Sequence, residues 1–322
     1  MNVYTLAGRV LESPLVSAAG SVTGVRAETI QAEVAELAST AIGAITVGSF
    51  TLPAQSGNEA HFGGPVYYYD APTGRTYNAM GLPNIGAAAA AEQAATLTHI
   101  ADAAGKIIIY SASPTNAPDY GSSVDQAVRL AEDFLATDAH LIELNTGCPN
   151  IVTEGGGRKP VLGYDVQSMT ELVDRLYERV GDTGRLGIKL PPYVGAYQPL
   201  VPQLAGILNR YPVFRFLVTC NTIPDQQPLD AQGSPILSVP GGKGGMSGPA
   251  TKDVGRAQLM LWREYMGCEL VSTEGVDSGQ ELACRLRLGA VAAGGVTFLW
   301  QSSNRKTAVT SMLSDFADCL SE

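Results

Sequence analysis

The stretch HLIELNTGCPN, residues 140–150, decides the fold. It runs nearly continuously apolar from His140 to Gly147 and then breaks, leaving Asn145, Cys148 and Asn150 at and beyond the break. A strand with one wet face alternates apolar and polar residues. A continuous apolar run is instead covered on both faces, as in a parallel sheet. Seven other runs share this character: PLVSAAG (14–20), AIGAITVGSFT (41–51), KIIIYSAS (106–113), LGIKLPPY (186–193), FRFLVTCNT (214–222), CELVSTEGV (268–276) and AVAAGGVTF (290–298). Between them lie helix-like stretches at 27–39, 87–104, 123–136, 168–180 and 279–288. Strands alternating with helices in this way predict an α/β fold, a (β/α)8 barrel, as one domain over residues 1–322. A doubly wound open sheet has the same periodicity and stays open as the alternative, because sequence pattern does not see closure.

Working outward, VYTLAGRVLE (3–12) reads as a β-hairpin turning at Gly8 and lying on the barrel floor. The connections at 52–85, 148–165 and 223–250 are long and collect glycine, proline and aromatic residues, as functional loops on one rim do. A net charge of -10 argues against a nucleic-acid footprint or a polybasic membrane surface. Five cysteines are an odd number with no C-x-x-C pair, so neither a disulfide framework nor a zinc site is indicated, and a reducing cytoplasm fits. No apolar run reaches about 18 residues, and the opening MNVYTLAGRVLESP lacks the pattern of a signal peptide. A soluble chain without a membrane segment is expected.

In a barrel the chemistry comes from the C-terminal ends of the strands. Those ends and their loops offer Ser17, Gly20, Ser49, Asn78, Asn145, Cys148, Asn150, Lys189, Asn221, Thr222 and the glycines of GGKGG (241–245). The set is rich in amides and poor in acids. Four carboxamides around one cavity suit a planar ligand with alternating carbonyl and N–H groups, since each asparagine both donates and accepts. The three histidines, His61, His99 and His140, occupy unrelated positions, so neither a triad nor a metal site is expected. Cys148, beyond a strand end and between two asparagines, reads as an acid–base group, whereas Cys220, Cys268, Cys284 and Cys319 read as packing residues. Lys189, charged at the end of an apolar strand, suggests a bound anion or an electron-rich ring.

NAMGLPN (78–84), ELNTGCPN (143–150), GIKLPPY (187–193), CNTI (220–223), GGKGG (241–245) and GVDSGQE (275–281) together resemble, in order and over almost the whole chain, the class 1A dihydroorotate dehydrogenases. The resemblance implies a cytoplasmic homodimer that binds FMN and oxidises dihydroorotate to orotate in pyrimidine biosynthesis, with fumarate as electron acceptor. By position it makes Cys148 the general base. Asn78, Asn145, Asn150, Asn221 and Thr222 then hold the pyrimidine, with Met80, Gly81 and Leu82 giving backbone contacts. Ala19, Gly20, Lys189, Gly244, Gly245, Gly275 and Thr297 fall where the family holds its flavin. A thiol suits the base role, because its reference pKa near ~8.5 needs only modest tuning.

Three positions depart from the family pattern. Val47 stands where the family has a lysine beside flavin and orotate, Glu274 where it has a glycine near the phosphate, and Val296 where a glycine admits the phosphate closely. An ionised Glu274 about 4 Å from a phosphate would cost on the order of 4 kcal/mol per charge pair at an intermediate dielectric. These departures keep two alternatives open: a paralogue that binds a pyrimidine or small anion without flavin chemistry, and a flavin enzyme acting on another dihydropyrimidine.

Overall fold

The computed structural model describes residues 3–115, 120–150 and 160–321. Each of the eight apolar runs contains a strand, shorter than the run itself: β3 (Leu15–Ser17), β4 (Ala44–Phe50), β7 (Ile107–Ala112), β8 (Leu141–Asn145), β9 (Leu186–Lys189), β10 (Phe216–Val218), β13 (Glu269–Ser272) and β14 (Ala292–Gly295). They pair in parallel in chain order, and β14 closes on β3 through Gly294 opposite Val16. The open sheet is thereby excluded.

Closure explains why the runs are apolar throughout. Val16, Ala44, Ile107, Ile109, Leu141, Phe216, Val218, Val271 and Ala292 pack together inside the barrel. Their neighbours Leu15, Ile45, Ile108, Tyr110, Ile142, Leu217 and Leu270 belong to the larger cluster under the helices. Strand side chains alternate between faces, so both sets must be apolar. Gly187 makes room inside: a Cβ there would come within 2.3 Å of the Phe216 ring.

The hairpin β1 (Tyr4–Leu6) and β2 (Arg9–Leu11) turns at Ala7 and Gly8, with φ of 49° and 76°, as a two-residue turn matched to strand twist requires. Leu6 and Leu11 insert among the inner strand residues, so the hairpin plugs the floor as expected. The expected helices are present as α1 (Ala27–Ala38), α3 (Ala87–Ala103), α4 (Tyr120–Leu135), α5 (Val166–Arg179) and α8 (Gly279–Arg287). Asp165 caps α5 and Ser278 caps α8, each accepting from a backbone N–H three residues on. Sequence reading missed α6 (Val201–Leu208), α7 (Lys252–Tyr265) and α10 (Arg305–Ser321), and the short α2 (Asn58–Phe62) and α9 (Thr297–Trp300). In α7 the buried face includes Gly255 and Gln258 beside Leu259 and Trp262, which blurs the apolar period. Among the described residues no helix is long and apolar enough to cross a membrane.

The long connections after β4 and β10 are not simple loops. They build a second, antiparallel sheet in the order β11 (Ile223–Gln226), β12 (Gly244–Ser247), β6 (Arg75–Asn78), β5 (Tyr67–Asp70). Because both connections leave C-terminal strand ends, this sheet sits on the rim where barrel chemistry resides. The third long connection lies partly outside the described residues, at 151–159.

Candidate active site

At that rim the strand ends and the second sheet enclose a cavity with about 1130 Å³ of open space, its mouth included. Of the residues singled out by sequence, Ala19, Gly20, Ser49, Asn78, Met80, Gly81, Leu82, Asn145, Cys148, Asn150, Lys189, Asn221, Thr222, Gly275 and Thr297 all line it. Gly244 and Gly245 do not. They lie in β12, with Gly245 opposite Asn78, and the wall is reached instead by Ser247 at the end of β12 and by Gly248 and Pro249 beyond it. Gly245 backs the site: a Cβ there would fall 2.0 Å from Thr222 Oγ1. Ser17 lies beneath the wall, where its hydroxyl accepts from the Thr46 N–H at 2.9 Å.

The carboxamides form two locked pairs. Asn221 donates to Asn145 Oδ1 at 2.9 Å, and Asn150 donates to Asn78 Oδ1 at 2.6 Å. Asn145 in turn donates to Ser49 Oγ at 3.0 Å, Ser49 lies 2.8 Å from Ser111 Oγ, and Ser111 donates to Glu143 Oε1 at 2.6 Å. A carboxylate accepts only, so the chain runs in one direction and fixes which end of Asn145 is amide nitrogen. Asn58, under Gly81, braces the other pair by donating to the carbonyls of Ala79 at 2.7 Å and Asn150 at 3.3 Å. In the wall, Asn150 Oδ1 and Thr222 Oγ1 are buried with no hydrogen-bond partner among the described residues. A buried group left so costs about 1–3 kcal/mol, which a ligand held there would recover.

Cys148 is half-buried on the loop after β8. Cys220 also touches the cavity but is fully buried, and desolvation pushes its thiol well above the ordinary range, so it is no base. Lys189, 5% exposed at the end of β9, is the one basic side chain in the wall among the described residues.

The three departures resolve differently. Val47 is not in the wall: its side chain is fully buried in the cluster between barrel and helices, and Gly48 and Ser49 face the cavity. Val296 is in the wall, its Cγ2 3.8 Å from where a Cβ on Gly20 would lie. Glu274 also points inward, at φ 65° and 8% exposed, with Oε2 2.9 Å from Thr251 Oγ1. Burial raises its carboxyl from 4.5 to about 8, despite opposing influences from Thr251, Lys189 and Arg285. The upward shift favours the neutral acid and so weakens the charge repulsion expected of an ionised Glu274.

Sequence reading missed the contribution of the second sheet. Tyr67 meets Trp300 edge-on at 5.2 Å, and Gln301 donates to the Tyr67 hydroxyl at 2.7 Å. Thr76 lies 2.7 Å from Ser247 and 3.4 Å from Thr297, tying β6 to β12 and to the start of α9. The signal was present in YYYDAPTGRTYN (67–78), an aromatic run, a Pro-Thr-Gly turn and a second run, which is a hairpin pattern.

Comparison with known proteins agrees with this geometry. The sequence model of the family Dihydroorotate dehydrogenase matches residues 2–313. The chain is 26% identical over 288 residues to "Dihydroorotate dehydrogenase (fumarate)" of Trypanosoma brucei brucei, covering 88% of this chain and 82% of that one. It is 24% identical over 290 residues to the protein of the same name from Trypanosoma cruzi, covering 88% and 83%. To "Dihydroorotate dehydrogenase B (NAD(+)), catalytic subunit" of Bacillus pumilus it is 27% identical over 267 residues, covering 80% and 75%. The chain belongs to the dihydroorotate dehydrogenase family.

Proposed function

We propose that this member of the family oxidises dihydroorotate to orotate, with Cys148 as general base, flavin mononucleotide as cofactor and fumarate as the final electron acceptor. The observation that carries the reading is the two locked carboxamide pairs in the cavity that Cys148 also lines, with Asn150 Oδ1 and Thr222 Oγ1 buried and unpartnered among the described residues. A pyrimidine ring has alternating N–H and C=O groups, and these amides offer the complementary alternation in fixed orientation. The lining suits a flavin as well: Lys189, Ala19, Gly20 and Gly275 line the cavity, and burial pushes the Glu274 carboxyl up to about 8, toward its neutral form. Flavin mononucleotide would supply the hydride acceptor.

The chain's own residues do the rest. Asn78, Asn145, Asn150 and Asn221 hold the dihydropyrimidine so that its C5 proton faces Cys148, and the thiolate takes that proton. Lys189 supplies positive charge to the electron-rich partner in the site. Tyr67 and Trp300 wall off the far end beside Thr297. A homodimer is part of this reading, with the exposed Val194, Tyr197 and Leu229 as apolar surface that pairing would cover.

A second reading, oxidation of another dihydropyrimidine, is favoured by one observation: Val47 leaves Lys189 as the only wall cation among the described residues to serve both flavin and the orotate carboxylate. The test is spectroscopic. Purified protein should show a flavin band near ~450 nm that orotate perturbs. Perturbation by uracil but not by orotate would replace the substrate, and no flavin band after incubation with the cofactor would overturn the reading.

A further inference from the structure

Glu143 is a carboxylate inside the barrel, 3% exposed in β8, two residues on from Leu141 and so on the same inner face. Packing gives an inner strand face no reason to hold a carboxylate. Its neighbour in register on β7 is Ser111, whose hydroxyl donates to Glu143 Oε1 at 2.6 Å. A hydroxyl has one proton, so Ser111 can only accept from Ser49, 2.8 Å away. The Ser49 proton is then spent in turn, and Ser49 accepts the Asn145 N–H at 3.0 Å. The far end of the chain agrees independently. The backbone N–H of Gly147 donates to Asn145 Oδ1 at 3.2 Å and that of Thr222 to Asn221 Oδ1 at 2.8 Å, and a backbone N–H never accepts.

Proton counting then fixes what the pair has left for a ligand. Asn145 Oδ1 already accepts from Asn221 and from Gly147, so Asn145 offers one N–H and no acceptor. Asn221 keeps one N–H beyond the one it gives to Asn145, and both residues line the cavity. The other pair has the opposite sense: Asn150 spends an N–H on Asn78 and keeps Oδ1, buried and unpartnered among the described residues, as an acceptor. We infer, on the reading that this cavity holds a pyrimidine, that Glu143 is a positioning residue for ligand choice. Through Ser111 and Ser49 it holds Asn145 and Asn221 as donors, so that the site selects a ring with carbonyl oxygens over one with amino groups in their place. A glutamine at this position relaxes the choice, because its amide can either accept from Ser111 or donate to it, and the second sense runs the chain backwards. The N–H groups of Gly147 and Thr222 still oppose that reversal, so selection is weakened and not lost.

The test measures binding and needs no turnover. Orotate and its 2-amino and 4-amino analogues are titrated into the full chain with FMN present. Each analogue replaces one ring carbonyl by an amino group and an adjacent N–H by a bare nitrogen. Wild type should prefer orotate over at least one analogue by about 30-fold or more, since the wrong ring sets donor against donor in a buried site. Glu143→Gln, which keeps the shape of the side chain, should reduce that preference at least about fivefold. Ser111→Ala, which cuts the relay while leaving Glu143 in place, gives a second variant with a loss of preference in the same direction. A residue that only supports the fold would weaken all three ligands alike. Unchanged preference in either variant, an equal loss for all three ligands, or no preference in wild type would overturn the inference and leave the pyrimidine reading standing. Failure of wild type to bind any of the three would overturn both.

Discussion

The amide nitrogen of Asn221 lies 2.9 Å from Oδ1 of Asn145, and this contact orients both carboxamides. Asn145 then has its nitrogen turned to Ser49, and Asn221 has its oxygen turned to the Thr222 N–H at 2.8 Å. Removing the Ser49 hydroxyl leaves the Asn145 nitrogen without its acceptor and frees the amide to rotate. Ser49→Ala should therefore weaken orotate binding by about 1–2 kcal/mol, roughly 5–30-fold, and lower stability by about 1–3 kcal/mol. Unchanged orotate affinity would show that the serine chain does not set the amides.

Gly245 offers a second test of the same site, from behind. A Cβ there would meet Thr222 Oγ1 at 2.0 Å and Thr222 Cβ at 2.7 Å, so Thr222 must move. Gly245→Ala should cost about 1–3 kcal/mol of stability and reduce orotate affinity while leaving FMN affinity near wild type. A selective loss of FMN instead would return Gly245 to the phosphate role that the resemblance implied.

Val47 tests which way a strand side chain points. Its partner in register, Tyr110, is also buried in the helix layer. Val47→Lys should thus bury an unpaired ammonium and destabilise the fold by about 3 kcal/mol or more, with no gain in orotate affinity. A stable variant with tighter orotate binding would put position 47 back in the cavity.

Glu274 should shape stability. Its folded-state carboxyl is raised from 4.5 to about 8, so between those values the folded state keeps a proton that the unfolded state releases. The stability it contributes is present in full below the unfolded value and is lost as pH rises through the folded one. Relative to wild type, Glu274→Gln should gain nothing near pH ~4 and up to roughly 5 kcal/mol by pH ~9, at about 1.4 kcal/mol per unit. Urea midpoints across pH read this directly, and a constant difference at all pH values would show that Glu274 titrates normally.

The barrel was legible because its strands are apolar on both faces, a pattern that survives without knowledge of neighbours. The Asn145, Cys148 and Lys189 positions were legible because polar groups at the ends of such strands have no packing reason to be there. The β11–β12 half of the second sheet, and its pairing with β6, was not. β12 is Gly-Gly-Met-Ser, β11 contains Pro224 and a positive φ at Asp225, and the pairing of Gly245 with Asn78 spans most of the barrel sequence. Local propensity carries no trace of such a contact. The raised Glu274 carboxyl was equally hidden, since its shift comes from burial, and the inward or outward sense of Val47 depends on register alone.

On the proposed function, Cys148 removes a proton from a dihydropyrimidine held by the amides while a flavin is reduced. The measurement is the rate of flavin bleaching when the FMN-loaded protein is mixed with dihydroorotate without oxygen, for wild type and Cys148→Ser, across pH. Wild type should bleach in a single turnover, and Cys148→Ser should be slower by about 10²-fold or more with orotate affinity within about threefold, because the amides remain. Equal bleaching rates for the two proteins at every pH, or tight orotate binding with no bleaching in wild type, would contradict the account.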